Sequence, residues 1–343
     1  MVGGGGYRRT MRIVLPALAA FFCVAATTPP PAVLQPYIKD GRFDPGDYAW
    51  LKGRFDDASS TEKATSKEVK QWLDACFAAD QATTRAKLRA MGIADPKLER
   101  GDFSDPLCAA VASTPDPIDL RSFTRFSQAA AVARPIADTY LAATQVAEEA
   151  GGARSAKLAD MLLARPMAEQ MLRFGLGWGE GPMKDAPPLT PEVKAIAMAR
   201  LGAALAQRDR ANTRWLQEAV AKQGWPKISQ VGEPAAMQAW LLVQHADADP
   251  AFQLQALRLM EPLVVIGEAS KRNYAYLYDR VMLKLTGKQR YATQVTCEKG
   301  RRAPLPLEDD KAVPRRRAET GLAPFAEYLA QMREVAGDCP PVG

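Results

Sequence analysis

The chain is almost without histidine: His245 is the single imidazole in 343 residues. Two-imidazole metal sites are therefore excluded, and metal hydrolysis would need one histidine with carboxylates. Cysteine is sparse and scattered over Cys23, Cys76, Cys108, Cys297 and Cys339, with none of the short spacings that hold zinc. No Gly-x-Ser-x-Gly elbow is present, which weakens a serine-hydrolase reading. No phosphate loop or dinucleotide fingerprint occurs. The Gly3 to Gly6 run has no strand–helix context. Neither charge dominates, with 45 basic and 39 acidic residues. Arg315, Arg316 and Arg317 have Glu308, Asp309, Asp310 and Glu319 close by, a mixed pattern that predicts a solvated, partly paired face and no nucleic-acid groove. No internal repeat is visible, and beyond the opening residues no apolar run is long enough to span a bilayer.

What is present begins with an export pattern. Arg8, Arg9 and Arg12 form a basic start, Ile13 to Val24 a short apolar core, and Val24-Ala25-Ala26 a small-residue stretch. This predicts a signal peptide over residues 1–26 and a periplasmic or secreted protein. The residues ahead of Cys23 do not fit a lipid attachment site. The four remaining cysteines form an even set, as expected of disulfides in an exported chain. Three pairings are open, and Cys76–Cys108 with Cys297–Cys339 is the local one.

The periodicity predicts a mainly α, multi-helix globular protein with a short β-hairpin near residues 289–307. Residues 27–115 read as an N-terminal helical unit behind a Pro/Gly-rich tail, its helices striped by Val69, Trp72, Leu73, Cys76 and Phe77 and later by Leu107, Cys108 and Val111. Residues 116–190 read as an alanine-rich helical connector and 191–343 as a C-terminal helical domain. Pro191 opens a helix running to about Lys222, and Gly224-Trp225-Pro226 ends it. A helix from Pro234 runs through His245 to about Ala248. Asp249-Pro250 caps the next, which Pro262 is expected to bend or shorten. Asn273 caps a third, stopped by Gly287. Alternation through Tyr291, Thr293, Val295 and Cys297 reads as a strand, turned at Lys299-Gly300 onto Arg301 to Leu307, and a last helix follows from Pro324 to about Val335.

His245 lies at the end of an apolar stretch, between Gln244 and Asp247. Its surroundings carry a resemblance. Gly224-Trp225-Pro226, Ser229-x-Val231-Gly232, the run Trp240 to Asp247 and Phe252-Gln253 come first. Asp279-Arg280-Val281, Gly287-Lys288-Gln289-x-Tyr291-x-Thr293-Gln294, and Arg316-Arg317 before Gly321-Leu322 follow. Over about residues 215–335 this order resembles a bacterial family known as domain of unknown function 6624. Two departures stand out: glycine is usual in the family at Ala292, and an acid at Pro314. The resemblance implies a site without implying a reaction.

The residues themselves give the chemistry to be tested. His245 and Asp279 are the candidate catalytic pair, with His245 a general acid or base oriented by Asp247 or Asp279. Gln244, Asp247, Arg280, Gln289, Tyr291 and Gln294 are the candidate ligand-binding groups, all able to make directional hydrogen bonds. His245, Asp279, Arg280, Gln289 and Gln294 are expected to converge on one cleft. Ser229 is a weaker nucleophile candidate, and Glu233 with Asp247 a weaker pair for glycoside hydrolysis. No cofactor and no dedicated metal set is expected. The partner is a polar ligand, with an envelope component the natural source. Two functions stay open: an exported envelope protein with a polar ligand or catalytic pocket around His245, hydrolysis being one reaction open to it, or a non-catalytic periplasmic binding or scaffold protein whose polar cluster is structural.

Overall fold

The computed structural model describes residues 29–98, 105–114, 120–151 and 156–340. The export pattern, Cys23 and most of the breaker at 114–117 lie outside them. The architecture is mainly α, with two small antiparallel hairpins. A 3-10 turn, Ala32–Tyr37, leads into hairpin β1 (Ile38–Lys39) and β2 (Arg42–Phe43), then a second 3-10 turn, Ala49–Arg54. Helices α1 (Ser60–Ala90), α2 (Pro106–Ala112), α3 (Phe123–Gly151), α4 (Leu158–Ala164) and α5 (Pro166–Leu176) follow. Next come α6 (Pro191–Gln223), α7 (Ile228–Val231), α8 (Glu233–Gln244), α9 (Pro250–Val265) and α10 (Lys271–Thr286). Hairpin β3 (Val295–Glu298) and β4 (Arg301–Pro304), then α11 (Val313–Glu319) and α12 (Phe325–Ala336), complete the order.

Capping chemistry sets several of these limits. Ser59 and Glu62 form a reciprocal capping box at the start of α1. Nothing interrupts the register after that, so α1 runs unbroken for 31 residues. Thr190 accepts from Val193 N ahead of Pro191, and Asp249 accepts from Phe252 N ahead of Pro250. Ser270, not Asn273, caps α10: its hydroxyl accepts from Asn273 N. Gly287 ends that helix in the left-handed region at φ 76°, where a Cβ would be strained. Pro262 stays inside α9 and does not end it. α8 stops at Gln244, with His245 as its C-cap, about four residues before the expected end.

Three apolar clusters form the interior. One gathers Leu34, Trp50, Leu51, Phe55, Trp72, Val111, Phe126 and Ile196. A small one joins Ala137, Leu172, Leu201 and Leu205. The largest holds Leu216, Val220, Trp225, Leu242, Phe252, Leu257, Leu277 and Val281. Helix α6 enters all three, with Ile196, then Leu201 and Leu205, then Leu216 and Val220. Its 33 residues span about 50 Å at 1.5 Å per residue. Burying each such side chain contributes about 1.5–3 kcal/mol, so α6 ties the N-terminal helices to the C-terminal ones. The Pro/Gly-rich stretch read as a tail is packed as well: Leu34 and Phe43 are buried, and β2 of its hairpin folds back onto α2.

Cys76–Cys108 and Cys297–Cys339 are disulfide-bonded, closing separations of 32 and 42 residues. Both are the local pairings. Among the described residues no helix is long and apolar enough to cross a membrane.

Candidate functional site

His245 does not meet Asp279. Its Nδ1 lies 2.7 Å from Oε1 of Glu169 on α5, a separation of 76 residues along the chain. Glu169 is fully buried behind the imidazole. Its other oxygen accepts from Nδ2 of buried Asn212 on α6 at 2.8 Å, and Asn212 Oδ1 in turn accepts from Arg165 at 3.3 Å. A guanidinium–amide–carboxylate–imidazole chain therefore runs from α5 and α6 to the end of α8. A carboxylate on Nδ1 fixes the ring and its tautomer, and leaves Nε2 as the nitrogen available to a ligand.

Asp209, one turn before Asn212, completes the cluster. Glu169, Asp209 and His245 each offer a ligand atom, all within 4.8 Å of one another. Arg173 on α5 holds Asp209 at 2.8 Å. The two carboxyls are driven apart in acidity. Burial pushes Asp209 up to about 7, and the nearby Glu169 charge adds to this while Arg173 opposes it. Burial acts upward on Glu169 too, but the hydrogen bond and charge of His245 and the Asn212 donor outweigh it, leaving Glu169 below its ordinary value. Such a split is how neighbouring carboxyls acquire different roles. The cluster also has donor types suited to one divalent ion. His245 is at hydrogen-bond distance from Glu169, and Arg173 pairs with Asp209.

The open side of this cluster is a cleft of about 340 Å³, lined by Arg173, Asp209, Arg210, Arg214, His245 and Asp247 among others. Its floor is the turn after α8. Arg280 on α10 makes a bidentate pair with Asp247, Lys284 donates to Asp247 O at 2.9 Å, and Gln253 donates to Val243 O and Asp247 Oδ1. Asp247 is held below its ordinary value: burial acts upward, and Arg280 and Lys284 prevail. Of the residues expected from sequence, His245 and Asp247 line the cleft, and Arg280 supports it from beneath. The side chain of Gln244 does not line it; its backbone carbonyl accepts from Gln253.

Asp279, Gln289, Tyr291 and Gln294 form a second, separate network, so the expected convergence of all five residues on one cleft does not occur. Asp279 is fully buried and accepts from the backbone N–H groups of Arg290, Tyr291 and Thr293 and from the Thr293 hydroxyl at 2.7–3.2 Å. Gln289, also fully buried, donates to Gln294 O and Leu305 O and accepts from Gln294 N. The side-chain amide of Gln294 donates to Thr293 Oγ1. Arg317, expected on a solvated face, is 1% exposed. It donates to Tyr291 O, Ala292 O and Ala323 O, and Tyr328 donates to Thr293 O. The loop after α10 is thus bonded on both sides. Ala292 sits in it at φ 55°, in the left-handed region that favours glycine.

The weaker sequence candidates also fall elsewhere. Ser229 lies on α7, where its backbone N–H donates to Glu268. Glu233 lines a different cleft with Trp240 and Tyr276. Glu233 and Asp247 flank α8, whose 12 residues rise about 18 Å, too far for a glycosidase pair at roughly 5–9.5 Å.

Glu169, Arg173, Asp209 and Asn212 were not singled out from sequence. The signal was in α6: Leu205, Asp209, Asn212 and Leu216 recur at spacings of four, three and four, so two polar residues stand in a core stripe.

Residues 190–338 match a family of unknown function, DUF6624. No curated protein and no solved structure matches the chain. The matched segment supplies His245, Asp209 and Asn212. Glu169 and Arg173 precede it.

Proposed function

We propose that this is an exported cell-envelope protein whose cleft at His245 binds a polar ligand and performs acid–base chemistry on it, hydrolysis being the reaction class the groups fit. One observation carries the reading: a buried carboxylate on Nδ1 of the only imidazole, beside a second carboxyl pushed up to about 7. In this reading Glu169 orients His245 and stabilises its protonated form. Nε2 then takes a proton from a water at the substrate. Asp209, half protonated near neutrality, returns a proton to the leaving group. A general acid works best when its acidity lies near the working pH. Export is supported by the basic, apolar and small-residue order of residues 1–26 and is compatible with two disulfides.

The test is turnover of a panel of chromogenic esters, phosphoesters and glycosides by the wild type, His245→Gln and Glu169→Gln. Loss of one activity in both variants, with unfolding midpoints retained, is expected. Unchanged turnover in His245→Gln would overturn the acid–base role. A collapse of stability in both variants, with no substrate turned over by the wild type, would favour a non-catalytic protein whose cluster holds α5 against α8.

A further inference from the structure

The substrate's chemistry can be read from what surrounds the acid–base cluster. Arg210 and Arg214 stand one turn apart on α6, on one face of the helix. Both line the His245 cleft, and both also line a neighbouring cleft of about 910 Å³ between α6, α3 and the β1–β2 hairpin. The two clefts therefore meet at this pair of guanidiniums. Like charges at this spacing repel, and burial, together with the Arg214 charge, holds Arg210 below its ordinary value.

The acids of the His245 cleft are engaged away from Arg214. Asp247 is paired with Arg280 and Lys284. Asp249 accepts from Phe252 N and from Gln217. Asp209 is bound by Arg173. Asp209, with Asp105 and Asp80 from the α2 and α1 side, also acts on Arg210, which makes Arg214 the principal open charge: it is exposed. In the second cleft Arg208 is paired with Glu148. Exposed Arg42 stands there too, with Asp40 and Glu149 also in the lining.

Resting on the reading of the His245 cleft as a ligand site, we propose that its substrate is anionic and extended, with a carboxylate or phosphate group held at Arg214 where the two clefts meet and a further anionic part reaching toward Arg42. Planar guanidiniums bind both groups in bidentate fashion. An anion between Arg210 and Arg214 would also relieve their mutual repulsion.

The full chain is titrated calorimetrically with inorganic phosphate, tripolyphosphate, citrate and, as a neutral control, maltotriose. Tripolyphosphate or citrate is expected to bind, with an affinity that falls as salt is added, and maltotriose is not. The phosphate and citrate arms tell the two anion types apart. Arg214→Gln should weaken the anion by roughly tenfold, about 1.4 kcal/mol, at unchanged melting temperature, because the side chain is exposed. Arg42→Gln should weaken tripolyphosphate and leave phosphate alone. Absence of anion binding, equal binding of maltotriose, or an Arg214→Gln protein that binds like wild type would each overturn the proposal. His245→Gln separates the two readings: retained turnover there sinks the acid–base role alone, whereas an unaffected Arg214→Gln titration sinks the anionic substrate alone.

Discussion

Two carboxylates in this molecule, Glu169 and Asp279, are equally buried and do opposite things. The donors to Asp279 are three backbone N–H groups and one hydroxyl from a single loop, residues 290–293. All are fixed and none titrates near neutrality. Glu169 takes its donors from the side chains of Asn212, Gln170 and His245, and the last of them is an imidazole. Their acidities part accordingly: burial wins at Asp279, which is raised, and the donors win at Glu169, which is lowered. A buried charge satisfied by its own backbone shapes a loop. A buried charge satisfied by another titratable group on a cleft wall is equipped to move a proton. Composition alone does not separate the two cases; the identity of the donors does.

The sharpest break in the comparison comes from removing each centre. His245→Ala is expected to lower turnover by about 10²–10⁴-fold, the range for general acid–base groups, with a urea midpoint close to wild type. Asp279→Ala should do the reverse. It strands several buried N–H groups at about 1–3 kcal/mol each, so a loss of roughly 3–5 kcal/mol in urea unfolding is expected. If Asp279→Ala unfolds like wild type, the loop is not held as described here.

A subtler contrast lies in pH. Asp209 is raised from 3.8 to about 7 in the folded protein, so the native state holds this proton more tightly than the unfolded chain. Its contribution to stability is complete below about pH 4 and is lost as pH rises through about 7. Urea midpoints measured from pH 4 to 8 should therefore decline less in Asp209→Asn than in wild type. The same variant should lose the falling limb of the rate profile above about pH 7 that the acid form imposes. A limb that persists assigns the proton to another group.

The smallest effect expected is a gain. Ala292 sits at φ 55°, where a Cβ costs about 1 kcal/mol. Ala292→Gly relieves this strain but adds freedom to the unfolded chain. A net stabilisation of about 0.5 kcal/mol is expected, read as a higher unfolding midpoint, with no change in turnover.

Much of the architecture was legible because caps and periodicity are local. Pro191, Gly224, Asp249-Pro250, Gly287 and the turn at Lys299-Gly300 all mark real boundaries. The site was legible only in part. His245, Asp247 and Arg280 could be found as polar residues beside an apolar run. Glu169 could not be assigned to His245, because the pairing depends on how α5 docks against α8, and no local pattern encodes that. Arg317 misled for a related reason. Its neighbours Arg315 and Arg316 do pair with acids near the surface, and only the fold of the loop at 290–293 turns the third arginine inward. Asp279 and Gln289, marked from sequence as candidate site residues, are buried and bonded into the loop after α10. What the sequence does not reveal is that their partners are main-chain atoms.

The position of Glu169 carries a consequence for inheritance. The proposed acid–base pair straddles the start of the recognisable family segment, with His245 inside it and Glu169 about twenty residues upstream. A gene fragment encoding only the recognisable part would carry the imidazole into a new setting without its carboxylate. Recombination that preserves the signature need not preserve the chemistry, so the unit that must travel together here begins no later than α5.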